Sequence, residues 1–161
     1  MSTVTELAGL SRGMVRHNFS SKRQMLAETM KKLWGGWMLV TKPSPNATPA
    51  DQVKAIVLAM FKPEVFSTPR VAAWLALSSE AHTDPVLAEI RERAYAEWTR
   101  QLADALEAYG AADPAAAAIN VLAVTDGLWL RHLLDPEALP REAAAEVALD
   151  ATRLLMADVD V

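Results

Sequence analysis

The chain has 161 residues, 52% of them apolar, no cysteine, and a formal net charge of −4. That length supports one sizeable hydrophobic core, and the lack of cysteine excludes disulfides and thiolate metal sites. The charge is uneven: residues 1–42 carry seven Lys/Arg against two Asp/Glu, whereas residues 43–161 carry nine against eighteen. A basic head on an acidic body points to a polyanion partner at the head alone. Chance clustering in a short segment is the plainer alternative.

In chain order, a short apolar segment (Val4, Leu7, Ala8) runs into Gly9-Leu10-Ser11. Gly9 can supply the positive φ that stops one helix, and Ser11 can cap the next. On a wheel of ~100° per residue, Val15 and Phe19 point inward, and Gly13 and His17 point nearly opposite. A helix of this kind fits a major groove, where all base pairs are distinguishable. Gly13 allows close backbone approach. Arg16 and His17 can reach bases or phosphates, and Arg12 suits a phosphate. Ser21-Lys22-Arg23-Gln24 then has the pattern of a capping box opening another helix. Lys22 stands where free N–H groups already favour an anion, so it too is a phosphate candidate. A solvated helix with scattered charge is the bland alternative for each residue taken singly.

The helix after Ser21 should bury Leu26, Met30, Leu33 and Trp37, with a bend at Gly35-Gly36. A loop at 42–46 separates the head, residues 1–42, from the body, residues 43–161. Thr48-Pro49 starts a helix with Val53, Ile56, Val57 and Met60 inward. Thr68-Pro69 starts another with Val71, Trp74, Leu75 and Ser78 on one face. Asp84-Pro85 opens a long helix whose stripe is Leu87, Ile90, Ala94, Trp98, Leu102, Ala105 and Tyr109, closed by Gly110. Asp113-Pro114 repeats the start signal for a helix to about Leu134, and Pro140 opens the last one. No alternating β pattern occurs, so the fold class is all-α: a helix-turn-helix head on a helical body.

The last two helices are apolar on two sides, so each needs two partners. One partner is the chain's own core. The other is a second copy in a homodimer, with Gly127 at a close crossing and Leu130 and Leu149 in the interface. A pair simply buried inside a monomer is the alternative. The apolar run 115–134 is broken by Asn120, Asp126 and Arg131, so it is no membrane span, and a cytoplasmic protein is expected.

Here the motifs converge on a family. Ala8-Gly-Leu-Ser-Arg-Gly13, His17, Phe19, Ser21-Lys22 and Leu26 resemble the DNA-binding segment of the tetracycline-repressor (TetR) family. Two tyrosines that flank the histidine in that family are Arg16 and Asn18 here, so Arg16 stands in for a phosphate-contacting side chain. AWLAL at 73–77, Pro85-Val86-Leu87 and DGLWLR at 126–131 resemble one branch, the choline-responsive repressors of glycine-betaine synthesis genes. The resemblance implies a ligand-responsive repressor that binds operator DNA. The family's first helix would precede Val4. Two short helices without it are marginal, since isolated helices below ~12 residues rarely hold. Weak DNA binding is therefore expected of the 161-residue form. A helical small-molecule-binding or dimerisation protein without DNA binding is the second reading.

No catalytic motif is present: no HExxH, no GxSxG, no phosphate-cradling glycine loop, no metal-ligand spacing. No cofactor or metal is expected. For the ligand, Trp74 with Ser78, and Trp98 midway along the long helix, are candidate pocket residues. Aromatics at this spacing usually fill a core. As a pocket wall, indole faces would attract a small cation by ~0.5–2 kcal/mol, which suits a quaternary ammonium such as choline. Asp126, an acid on an apolar helix, needs a partner: either the ligand's charge or a hydrogen bond at the dimer crossing.

Overall fold

In the computed structural model, residues 21–40 and 46–157 are described. They form six α-helices and no strand: α1 Lys22–Val40, α2 Pro49–Ala59, α3 Thr68–Glu80, α4 Pro85–Tyr109, α5 Pro114–Leu134 and α6 Arg141–Ala157. The all-α expectation holds. The candidate DNA-reading residues Arg12, Gly13, Arg16 and His17 lie outside the described residues.

Local chemistry places the helix ends. Thr48 and Asp51 form a reciprocal capping box, with Thr48 Oγ1 accepting from the Asp51 N–H at 3.2 Å. Asp84 accepts from the Val86 N–H at 3.0 Å and Asp113 from the Ala116 N–H at 3.0 Å, each followed by a proline in the first turn. Gly110 ends α4 with φ 107°, the left-handed conformation that a side chain disfavours. Thr48→Ala should cost about 1 kcal/mol, the typical value of a lost cap. Read by thermal melting, that is a fall of about 2–4 °C in Tm for a domain of this size.

α4 is the central element, packed against α1, α2, α3 and α5, while α5 lies against α3, α4 and α6. The core runs from Met30 and Trp34 of α1 through Val57, Leu102 and Leu106 to Trp129. Trp129 is 1% exposed and meets Phe66 and Trp74 edge-on, with ring centroids 5.7 Å and 5.6 Å apart. The buried hydroxyls of Thr125 and Thr152 donate back to the Val121 and Ala148 carbonyls at 2.9 and 2.7 Å, so neither is left unsatisfied.

Several inward faces differ from the sequence expectation by a rotation about the helix axis. In α1, Leu26, Met30 and Leu33 are buried as expected, Trp34 joins them at 3%, and the helix continues through Gly35-Gly36; the side chain of Trp37 lies outside the described residues. In α3, Leu77 is buried and Leu75 is exposed, because α3 is gripped by α1 and α5 on the side that Val71, Trp74 and Leu77 share. In α4, Leu106 joins Ala105 in the core while Tyr109, in the last turn, is exposed. A helix with neighbours on several sides buries a wider arc than one stripe.

His132, 7% exposed, is also structural. Its Nδ1 lies 2.9 Å from the Leu139 carbonyl, which can only accept, so Nδ1 carries the proton. Its Nε2 lies 3.4 Å from the Thr68 hydroxyl, tying the end of α5 to the start of α3.

Candidate functional site

A small, partly open cavity lies where α1, the end of α2, α4 and α5 meet. Trp34, Met60, Ala94, Tyr95, Trp98, Leu122 and Asp126 line it, and its volume is ≈ 10 Å³. That is room for about one water molecule. The wall is largely apolar and aromatic, and Asp126 is its charged group. Residues 94, 95 and 98 share one face of α4, and 122 and 126 are one turn apart on α5, so each set reaches the same space.

The polar side of the cavity is a short relay. The Tyr95 hydroxyl donates to Asp126 Oδ2 at 3.1 Å, and the Trp74 indole N–H donates to Tyr95 Oη at 3.3 Å. Burial pushes the Asp126 carboxyl up to about 6, and the Tyr95 hydrogen bond only partly offsets it. Burial, with the Asp126 charge next to it, also raises the Tyr95 hydroxyl well above its ordinary value, so Tyr95 stays protonated and remains a donor.

Of the four ligand candidates from sequence, the structure brings Trp98 and Asp126 to the cavity wall. Trp74 stands behind that wall, joined to it through Tyr95. Ser78 does not line the cavity; its carbonyl faces Arg91 Nη1 at 3.5 Å, and its buried Oγ has no partner among the described residues. Within its own chain, Asp126 accepts from the Tyr95 hydroxyl. Tyr95 and Trp34 were missed by sequence reasoning. A signal for Tyr95 existed: a buried acid needs a donor, and the chain has two tyrosines.

Two further surfaces bear on function. At the start of α1, Lys22 Nζ pairs with Glu80 at 3.3 Å, and Arg23 Nε with Asp84 at 2.7 Å. These links fasten the first turn of α1 to the end of α3 and the cap of α4. Both basic groups remain largely exposed, and solvent screening leaves such pairs little strength. On the far side, Ile119, Ala123, Gly127, Leu130 and Leu134 form one exposed stripe of α5, joined by Val147 and Leu154 of α6. Leu130 is 39% exposed and Leu134 72%. Leu149, by contrast, is half-buried against the core, so Val147 and Leu154 carry the outward face of α6.

Among the described residues no three metal-ligating side chains cluster, and no helix is long and apolar enough to cross a membrane.

Comparison with known proteins places this geometry. Residues 49–157 match the family described as BetI-type transcriptional repressor, C-terminal. The HTH-type transcriptional regulator BetI of Paraburkholderia phytofirmans is 33% identical over 165 residues, covering 98% of this chain and 83% of that one. BetI of Burkholderia lata is 30% identical over 164 residues with the same coverage. Among solved structures, a transcriptional regulator from Rhodococcus sp. Rha1 superposes with a TM-score of 0.82 at 25% identity, covering 98% of this chain and 85% of its own. A family match over the whole helical body, and relatives that continue through the basic head, make this chain a member of the TetR family of ligand-responsive transcriptional regulators, with the C-terminal domain of its BetI-type repressors.

Proposed function

We propose that this regulator acts in the cytoplasm as a two-fold dimer. It binds operator DNA through its head, residues 1–42, and answers to a small cationic or amphipathic effector held between α1, α4 and α5. It is a regulator rather than a catalyst. The observation that carries the effector reading is Asp126: a carboxylate in an apolar wall, facing the aromatic rings of Trp34, Tyr95 and Trp98. A buried acid is costly unless a partner offsets it. One neutral hydroxyl from Tyr95 does so only in part, and a quaternary ammonium would add both ion pairing and indole contact.

The test is a titration of choline and related amines, following tryptophan fluorescence and melting temperature. A saturable rise in Tm at millimolar amine supports the reading, because a ligand that binds only the folded state stabilises it. If a neutral or anionic compound shifts both signals and no amine does, the cationic assignment is wrong.

The DNA half of the proposal rests on Arg12, Gly13, Arg16, His17 and Lys22. On an operator fragment, Arg16→Ala should weaken specific binding by roughly 1–3 kcal/mol if Arg16 reads a base. Lys22→Ala should weaken all sequences alike and reduce the salt dependence by about one phosphate contact. Mobility shifts across a salt series separate the two. A chain that binds no DNA fragment at low salt would favour the second reading, a ligand-binding dimer without DNA recognition.

A further inference from the structure

Trp74 lines no part of the cavity, yet it is joined to Asp126 through a single intermediate, Tyr95. Chemistry fixes the direction of that chain. An indole N–H can only donate, so the Tyr95 oxygen accepts from Trp74 at 3.3 Å. Tyr95 has one hydroxyl hydrogen, and it goes to Asp126 Oδ2 at 3.1 Å. Among the described residues Tyr95 is the one hydrogen-bond donor to Asp126, which leaves Oδ1 for a ligand. The far end of the chain is firmly seated. Trp74 is 7% exposed and packs edge-on against Trp129, which packs in the same way against Phe66. So α3 holds the indole, the indole orients the hydroxyl on α4, and the hydroxyl meets the carboxylate on α5. The charged group that acts on the pair from outside is Arg91, one turn before Tyr95 on α4. What α1, α2 and α5 add to the cavity is Trp34, Met60 and Leu122, none of which titrates, and α6 lines no part of it.

We propose that Trp74 is a positioning residue of the effector site: acting through Tyr95, it holds the Asp126 carboxylate as the anion that meets a cationic effector. This rests on the cavity being the effector site. A carboxylate in an apolar wall has given up water, and a hydrogen bond to its charged form offsets part of that cost. Tyr95 supplies the bond. With Trp74 in place, the hydroxyl cannot turn away from Asp126 without losing both of its partners, and bonds in series strengthen one another. Without the indole N–H, the hydroxyl is free to rotate about its C–O bond, and the carboxylate loses its donor for part of the time. Neutral Asp126 then becomes commoner, and a cation entering the site meets no charge.

Calorimetry with tetramethylammonium, a cation with no titratable proton of its own, tests this at pH 8.5 and pH 6.0. The proteins are wild type, Tyr95→Phe, Trp74→Phe, the double variant and Asp126→Asn. The ratio of affinity at pH 8.5 to that at pH 6.0 should grow about 5-fold in Tyr95→Phe and about 2-fold in Trp74→Phe, because protonated Asp126 persists to higher pH without its donor. The double variant should match Tyr95→Phe, since Trp74 acts only through that hydroxyl. A merely structural Trp74 would lower the melting temperature and weaken binding by the same factor at both pH values, leaving the ratio as in wild type. Tyr95→Phe keeps the ring and loses only the hydroxyl, so it decides the matter if Trp74→Phe does not fold.

The two ideas fail differently. Binding that weakens in Asp126→Asn, with the wild-type pH ratio kept in Trp74→Phe or in Tyr95→Phe, would overturn the positioning role and leave the pocket standing. A double variant whose ratio exceeds that of Tyr95→Phe would overturn the route through Tyr95. Tetramethylammonium that does not bind wild type, or that ignores Asp126→Asn, would overturn the pocket and the positioning role with it.

Discussion

Leu130→Lys should convert the protein from a dimer to a monomer of 17.5 kDa at micromolar concentration. Leu130 lies in the middle of the stripe Ile119, Ala123, Gly127, Leu130, Leu134, whose spacings of four, four, three and four residues keep it on one face of α5. Ile119 is 60% exposed and Leu154 of α6 69%, so the single chain leaves an apolar face open here, as a protein–protein interface would. In the proposed dimer, the α5–α6 hairpin and its copy would make a four-helix bundle around a two-fold axis. A lysine there would place an unpaired charge in the apolar centre of the interface. That costs at least 3 kcal/mol, a fall of more than 100-fold in association. In a monomer the same substitution on an exposed leucine would stay within about 0.5 kcal/mol of neutral. Sedimentation of both proteins decides between these cases, and a wild type that sediments as a monomer would sink the dimer. Leu149→Lys is a poorer probe: Leu149 packs partly on the core, so it should lower folding stability as well.

Asp126→Asn should raise stability and weaken amine binding in the same protein. Asn keeps an acceptor for the Tyr95 hydroxyl and removes the buried charge. The Asp126 carboxyl is raised from 3.8 to about 6 in the folded chain. Between those values the folded state holds the proton more tightly than the unfolded one. Stability therefore falls as pH rises from about 4 to 6 and stays at the lower level above. A shift of this size corresponds to at most about 3 kcal/mol. Melting curves should show Asp126→Asn more stable than wild type at pH 7.5, with the difference gone near pH 4. Amine affinity should drop by roughly 10- to 100-fold in the variant, the loss of an ion pair in a low-dielectric site. In wild type it should fall as pH drops below about 6. A variant no more stable at pH 7.5, with unchanged amine affinity, would remove Asp126 from the effector site.

Among the described residues, the sequence alone determined the helices and most of the points where they begin and end. Thr48-Pro49, Asp84-Pro85, Asp113-Pro114 and Gly110 act through bonds to backbone two to four residues away, so their meaning survives without tertiary context. The family was equally plain, because its motifs are local runs of residues. The basic head and the double-sided apolar character of α5 and α6 were visible too, as was Asp126 as an acid that needed explaining.

What only the tertiary structure decided is how each helix is turned about its axis and which distant side chains meet. Trp34 is buried in α1, and Leu77 rather than Leu75 in α3, because neighbouring helices set the buried arc and a pattern of apolar residues fits more than one rotation. The partner of Asp126 is Tyr95, 31 positions away on another helix, with Trp74 behind it at a distance of 21. Val65 and Phe66, in the turns between α2 and α3, are core residues because the chain folds back under α5, where Phe66 meets Trp129 and His132. Such pairings are long-range packing choices. They depend on the fit of whole surfaces, and no short window of sequence contains both sides of that fit.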